Sequence, residues 1–118
     1  MKVIVYGTLK RGYGNNRLLQ SSKFVEETEV EGFKLYYAGF PVAAPAEGEK
    51  ITAEVWDIGE DQQVLSNLDR LESEGTMYHR VQVREDTYMY VGDNEYWFGF
   101  RHNDECPKDE QGRYVWGR

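Results

Sequence analysis

Glu72 is the residue whose type and place most invite a chemical reading. It stands four residues after Leu68 and seven after Leu65, so on a helix it extends the apolar stripe of Val64, Leu65, Leu68 and Leu71. Burial and the negative end of the helix dipole both raise the pKa of a carboxyl group so placed. Two readings are open: a proton-transferring group tuned toward neutrality, or a helix that frays after Leu71 and leaves Glu72 in water. The second candidate is the run from Gly7 through Thr8 and Leu9 to Asn16, which holds Gly7, Gly12, Gly14 and two asparagines directly after an apolar segment. Such a turn can aim several backbone N–H groups into one concavity that takes a carboxylate or phosphate, or it can be an ordinary tight loop. It is not a Walker loop, because Tyr13 and Gly14 stand where that motif needs Lys and Ser or Thr.

Tyr78 and Arg80, two apart on a strand, share a face; Arg80 either pairs with a nearby acid or places a substrate carboxylate. His79 lies on the other face with Val81 and Val83 and reads as a partly buried packing residue. His102 and Cys106 complete the inventory, but two histidines and one cysteine at scattered spacing match neither a zinc pattern nor a Cys-His pair. Thr8 has no evident base beside it. No metal and no cofactor is expected.

The elements that must position these groups follow from periodicity. Lys2 to Tyr6 is a short β-branched run read as a buried strand, and Arg17 to Gln20 is a short helical candidate. Val30 to Tyr37 alternates imperfectly, which predicts a strand with a bulge near Gly32. Gly39 to Lys50, with Pro41, Pro45 and Gly48, reads as a connecting loop before a strand from Ile51 to about Ile58. The helix over Val64 to Leu71 has an acidic approach at Glu60 and Asp61. Strands are predicted at Arg80 to Arg84, Thr87 to Val91 and Glu95 to Arg101, the last two joined by a Gly92-Asp93-Asn94 hairpin turn. The tail from Asn103 is polar, with Tyr114, Val115 and Trp116 as its anchors. Six strands and one good helix predict an α+β fold, a mixed sheet or small barrel with a helix packed on it.

The 118 residues are enough for one domain over 1–118, and 40% hydrophobic content supports a real core. A formal charge of −7 repels phosphate backbones and anionic membranes, which argues against nucleic acid and membrane partners. One cysteine and no long apolar run make the cytoplasm the expected compartment.

Two motifs in this order resemble the gamma-glutamylcyclotransferase-like family, in its gamma-glutamylamine cyclotransferase or avirulence-induced-gene-like branch. They are Val5-Tyr6-Gly7-Thr8-Leu9-Lys10-Arg11-Gly12, and Leu68-Asp69-Arg70-Leu71-Glu72 followed after five residues by Tyr78-His79-Arg80. Gly32-Phe33-Lys34-Leu35-Tyr36 and Ile51-Thr52-Ala53-Glu54-Val55 stand between them as in relatives. The resemblance implies a small mixed β-barrel with flanking helices and a small-molecule gamma-glutamyl substrate. It also implies a loop of Tyr6, Gly7, Thr8 and Leu9 whose amides hold the gamma-glutamyl group, with Glu72 as general acid/base; Tyr78 and Arg80 are the further substrate-binding candidates. The implied reaction is intramolecular aminolysis to 5-oxoproline and a free amine, which uses one carboxylate and needs no metal, cofactor or enzyme nucleophile. Ser73 departs from the glycine that often follows the glutamate. Trp97, Phe98 and Phe100 stand where relatives often offer a tyrosine hydroxyl. The alternative reading is a binding or regulatory module that keeps the cavity without turnover, although such a module has no chemical need for Glu72.

Overall fold

The computed structural model describes residues 1–117, apart from the side chain of Phe98. Strands β1 (Lys2–Val5), β2 (Lys23–Tyr37), β3 (Pro41–Asp57), β4 (Tyr78–Arg84), β5 (Thr87–Gly92) and β6 (Asp104–Glu105) form one curled sheet in the order β4-β5-β1-β3-β2-β6. The only parallel pairing among the described residues is β1 with β5; the other neighbours run antiparallel. The helix α1 (Gln62–Glu72) packs on one face, and two short 3₁₀ turns, Gly14–Leu19 and Phe98–Phe100, complete the elements. Among the described residues the half-barrel carries one α-helix and these two short turns.

Strand β1 is buried on both sides, as its unbroken apolar run requires. Val3 and Val5 join the core under α1 with Val64 and Leu68, while Ile4 and Tyr6 join the core inside the curl with Leu35, Ile51 and Met89. Helix α1 begins at Asp61, whose side chain accepts hydrogen bonds from the Gln63 and Val64 N–H groups. Leu68 is fully enclosed, a burial worth about 1.5–3 kcal/mol that fixes which face of α1 meets the sheet.

Three expectations are corrected. The stretch Gly39 to Lys50 is mostly strand, because β3 starts at Pro41 and pairs with β2 as one long hairpin. Pro41 is tolerated as the first residue of the strand, and Pro45 where the ladder is irregular: pairing jumps from Glu31 opposite Lys50 to Phe33 opposite Pro45. The expected bulge falls there, with Gly32 at φ +90°. Glu95 to Arg101 is not a strand; the chain turns after β5 through Asp93, whose carboxylate accepts from the Tyr96 N–H, and enters the second 3₁₀ turn. The tail is better integrated than its polarity suggests. β6 pairs with the end of β2, Tyr114 is buried and exchanges backbone hydrogen bonds with Lys50 and Thr52, and the Trp116 carbonyl accepts from the Lys10 ammonium.

Candidate functional site

A cavity of about 420 Å³ opens where β1 ends, within the size range of small-molecule sites. Its inner wall is the chain from Ile4 to Leu9; Phe40 and Pro41 at the start of β3, the C-terminal end of α1 at Leu71 and Glu72, Met77 and Tyr78 entering β4, and Tyr90 of β5 close it.

The loop after β1 is shaped by its neighbours. Gly7 must be glycine, since a Cβ there would come within 2.7 Å of the Pro41 ring. The Thr8 carbonyl accepts from the Asn15 N–H, the Thr8 hydroxyl from the Asn15 amide, and the Leu9 carbonyl from the Asn16 amide. With those acceptors occupied by the 3₁₀ turn, the N–H groups of Gly7, Thr8 and Leu9 donate to no described residue. Three consecutive uncommitted donors beside a cavity favour an oxygen anion or a polarised carbonyl.

Glu72 ends α1, and the helix closes beyond it rather than fraying. Ser73 adopts the left-handed conformation at φ 49°, its N–H bonds the Arg70 carbonyl, and the Glu74 N–H bonds the Asp69 carbonyl. This αL closure is a position that favours glycine. Glu72 is half-buried and makes no hydrogen bond or ion pair to any described residue. Loss of hydration pushes its carboxyl up to about 7. It is therefore divided between acid and base near neutrality, the condition for moving a proton both ways.

Around it stand three tyrosines with committed hydroxyls. Tyr6 donates to the Tyr90 carbonyl at 2.6 Å and accepts from the Ala43 N–H at 3.1 Å, so its side chain fastens β1 to β5 and β3. Tyr78 donates to the Pro41 carbonyl at 3.0 Å, and Tyr90 donates to Asp69 at 2.5 Å. Burial drives the pKa of all three upward, which keeps them neutral beside Glu72.

Of the residues singled out in the sequence, Tyr6, Gly7, Thr8, Leu9, Glu72 and Tyr78 line this one cavity. Arg80 does not: its guanidinium is bound to Asp69 behind the cavity wall. His79 is half-exposed and pairs with Asp93 at 2.6 Å rather than packing as an apolar residue. Cys106 is buried, and burial pushes its thiol up to about 11, which suits core packing. Among the described residues no three His, Cys, Asp or Glu side chains are grouped as a metal site, and no helix is long and apolar enough to cross a membrane. Sequence reasoning missed Asn15, Asn16, Pro41, Tyr90 and Asp69. The asparagines read as turn formers, and the other three act through long-range contacts that no local spacing reveals.

The family model described as gamma-glutamyl cyclotransferase, AIG2-like matches residues 3–115. The chain belongs to that family. The gamma-glutamylcyclotransferase family protein YtfP of Escherichia coli is 30% identical over 95 residues, covering 77% of this chain and 81% of that protein. Mouse gamma-glutamylaminecyclotransferase is 29% identical over 104 residues, covering 79% of this chain and 68% of the mouse protein. The solved structure of an AIG2-like mouse protein superposes with a TM-score of 0.67 at 26% identity, over 99% of this chain and 95% of its own. An uncharacterized protein from Pyrococcus horikoshii shares the fold at TM-score 0.72 and 24% identity, over 97% of this chain and 89% of that one. Gamma-glutamylcyclotransferases are enzymes, and this chain is an enzyme of that general kind.

Proposed function

We propose that this family member converts a gamma-glutamyl amine or small gamma-glutamyl peptide into 5-oxoproline and a free amine, with Glu72 as the single acid/base. The observation that carries the reading is a half-buried carboxyl group without an ion pair, held at about 7, in the same cavity as the free N–H groups of Gly7, Thr8 and Leu9.

Ionised Glu72 takes a proton from the substrate's α-ammonium. The freed amine attacks the γ-carbonyl carbon, forming the new C–N bond of the lactam. The loop N–H groups hold the gamma-glutamyl group and its developing negative oxygen, in a site where fixed dipoles need no reorganisation. Glu72 then returns its proton to the departing nitrogen as the old C–N bond breaks, and the carboxylate so regenerated takes the second proton from the ring nitrogen and passes it to the released amine, which departs as its ammonium form. The ring atoms all come from the substrate, so the protein supplies conformation, charge and one proton carrier.

Release of 5-oxoproline by Glu72→Gln tests the reading. The variant is nearly isosteric, cannot accept the proton, and should lose about 10²- to 10⁴-fold in rate. Glu74, exposed and beyond the helix, is the control: Glu74→Gln keeps the parent rate. Turnover by Glu72→Gln at the parent rate, or a dead Glu74→Gln, removes the assignment.

A further inference from the structure

The mouth of the cavity differs in chemistry from its floor. Phe40, Leu71 and Met77 line the outer part, and Phe40 and Leu71 are among the few large hydrophobic side chains of the described residues left exposed, each at 38%. Behind Phe40 stands Trp97, edge-on to it with ring centres 5.6 Å apart, and Trp97 also contacts Tyr78 at 6.1 Å and Tyr96 at 4.9 Å. The Trp97 indole N–H donates to the Met77 carbonyl at 2.9 Å, so this aromatic wall is pinned to the segment that enters β4. Tyr96 is itself 46% exposed. Exposed apolar side chains gathered at one cavity mouth mark a contact surface.

Charge is the second observation. Among the described residues that line the cavity there is no Lys, Arg or His, and Glu72 is the one acid. Arg80, two residues beyond Tyr78 on β4, is held by Asp69. The loop donors hold the gamma-glutamyl group, so a carboxylate on the departing amine would sit against Phe40 and Leu71 with no cation among the lining residues to meet it. An unpaired charge in such surroundings is disfavoured, whereas an aromatic or branched alkyl group gains by covering them.

We propose that Phe40, Leu71 and Met77, backed by Trp97, form a leaving-group subsite that selects uncharged apolar amines, aromatic ones foremost, and rejects amino acids. The inference rests on the reading that the cavity binds a gamma-glutamyl group, and it sets which amide is used.

Binding and turnover are measured separately. Glutaryl-phenethylamide and glutaryl-phenylalanine lack the α-amine, cannot cyclise, and differ only by the leaving-group carboxylate. Titration by intrinsic tryptophan fluorescence or calorimetry should find the phenethylamide at least tenfold tighter, and tighter than glutaryl-ethylamide by a similar factor. Phe40→Arg should reverse the order, favouring the phenylalanine compound. Parallel release of 5-oxoproline from gamma-glutamyl-phenethylamide, -phenylalanine and -ethylamide should rank in the same way in kcat/KM. Equal binding of the two aromatic glutaryl compounds, or preference for the carboxylate-bearing one by the parent, overturns the subsite whatever the turnover. Tenfold selective binding with no 5-oxoproline from any amide keeps the subsite and removes the cyclisation reading.

Discussion

At the scale of single residues, Glu72 carries a stability cost along with its proposed chemistry. Its folded pKa of about 7 lies above the ordinary carboxyl value of 4.5, so the fold holds the protonated form more strongly than the unfolded chain does. That contribution is complete below about pH 4.5, declines as the pH rises, and is lost by about pH 7. Glutamine escapes the penalty. Urea unfolding at about pH 8 should therefore find Glu72→Gln more stable than the parent by about 1–2 kcal/mol, discounted for partial exposure, with the gap closing near pH 4. Its neighbour Ser73 offers a second prediction. A non-glycine residue at φ 49° pays for its Cβ in the αL region, so Ser73→Gly should raise the unfolding midpoint by the equivalent of about 0.5–1 kcal/mol. Glu72 was legible in the sequence because it interrupts an apolar stripe. The positive φ of Ser73 was not, since nothing in the local composition demands a left-handed residue there.

Among elements, the node that matters is Asp69, one turn before Glu72. It receives the Tyr90 hydroxyl of β5 and the Arg80 guanidinium of β4, and so fixes the end of α1 over two strands. Arg80 shares the cavity-side face of β4 with Tyr78, as strand alternation predicts, but its role in the structure is to hold the helix. Arg80→Lys keeps the charge and loses the planar fork. It should lower stability by about 0.5–1.5 kcal/mol in thermal unfolding while KM stays within about twofold. A selective rise in KM would instead return Arg80 to substrate binding. The strand positions of β1, β4 and β5 and the helix could be read from periodicity, because each buries a defined face. The first half of β3 could not: Pro41, Pro45 and Gly48 mimic a loop locally, and only pairing with the bulged β2 makes the segment a strand.

For the whole molecule, closure depends on the polar tail. Tyr114 is 3% exposed, its hydroxyl donates to Glu105 at 2.9 Å, and its backbone bonds β3 on both sides. Tyr114→Ala should cost about 3–4 kcal/mol in denaturant unfolding, a loss out of proportion to the sparse hydrophobicity of residues 103–117. The same tail reaches the functional loop, since the buried ammonium of Lys10 ends on the Trp116 carbonyl at 2.7 Å.

The pairing of β1 has a kinetic consequence. This strand comes first in the chain, yet its two neighbours are residues 54–57 and 87–89. On a ribosome it therefore emerges long before either partner, and its apolar run Val3-Ile4-Val5 must wait for full pairing until residue 89 has been made. The loop that hangs from its end acquires its geometry only when that wait is over. Strand β1 is thus both the foundation of the cavity and a stretch left open to other nascent chains while its partners are being made.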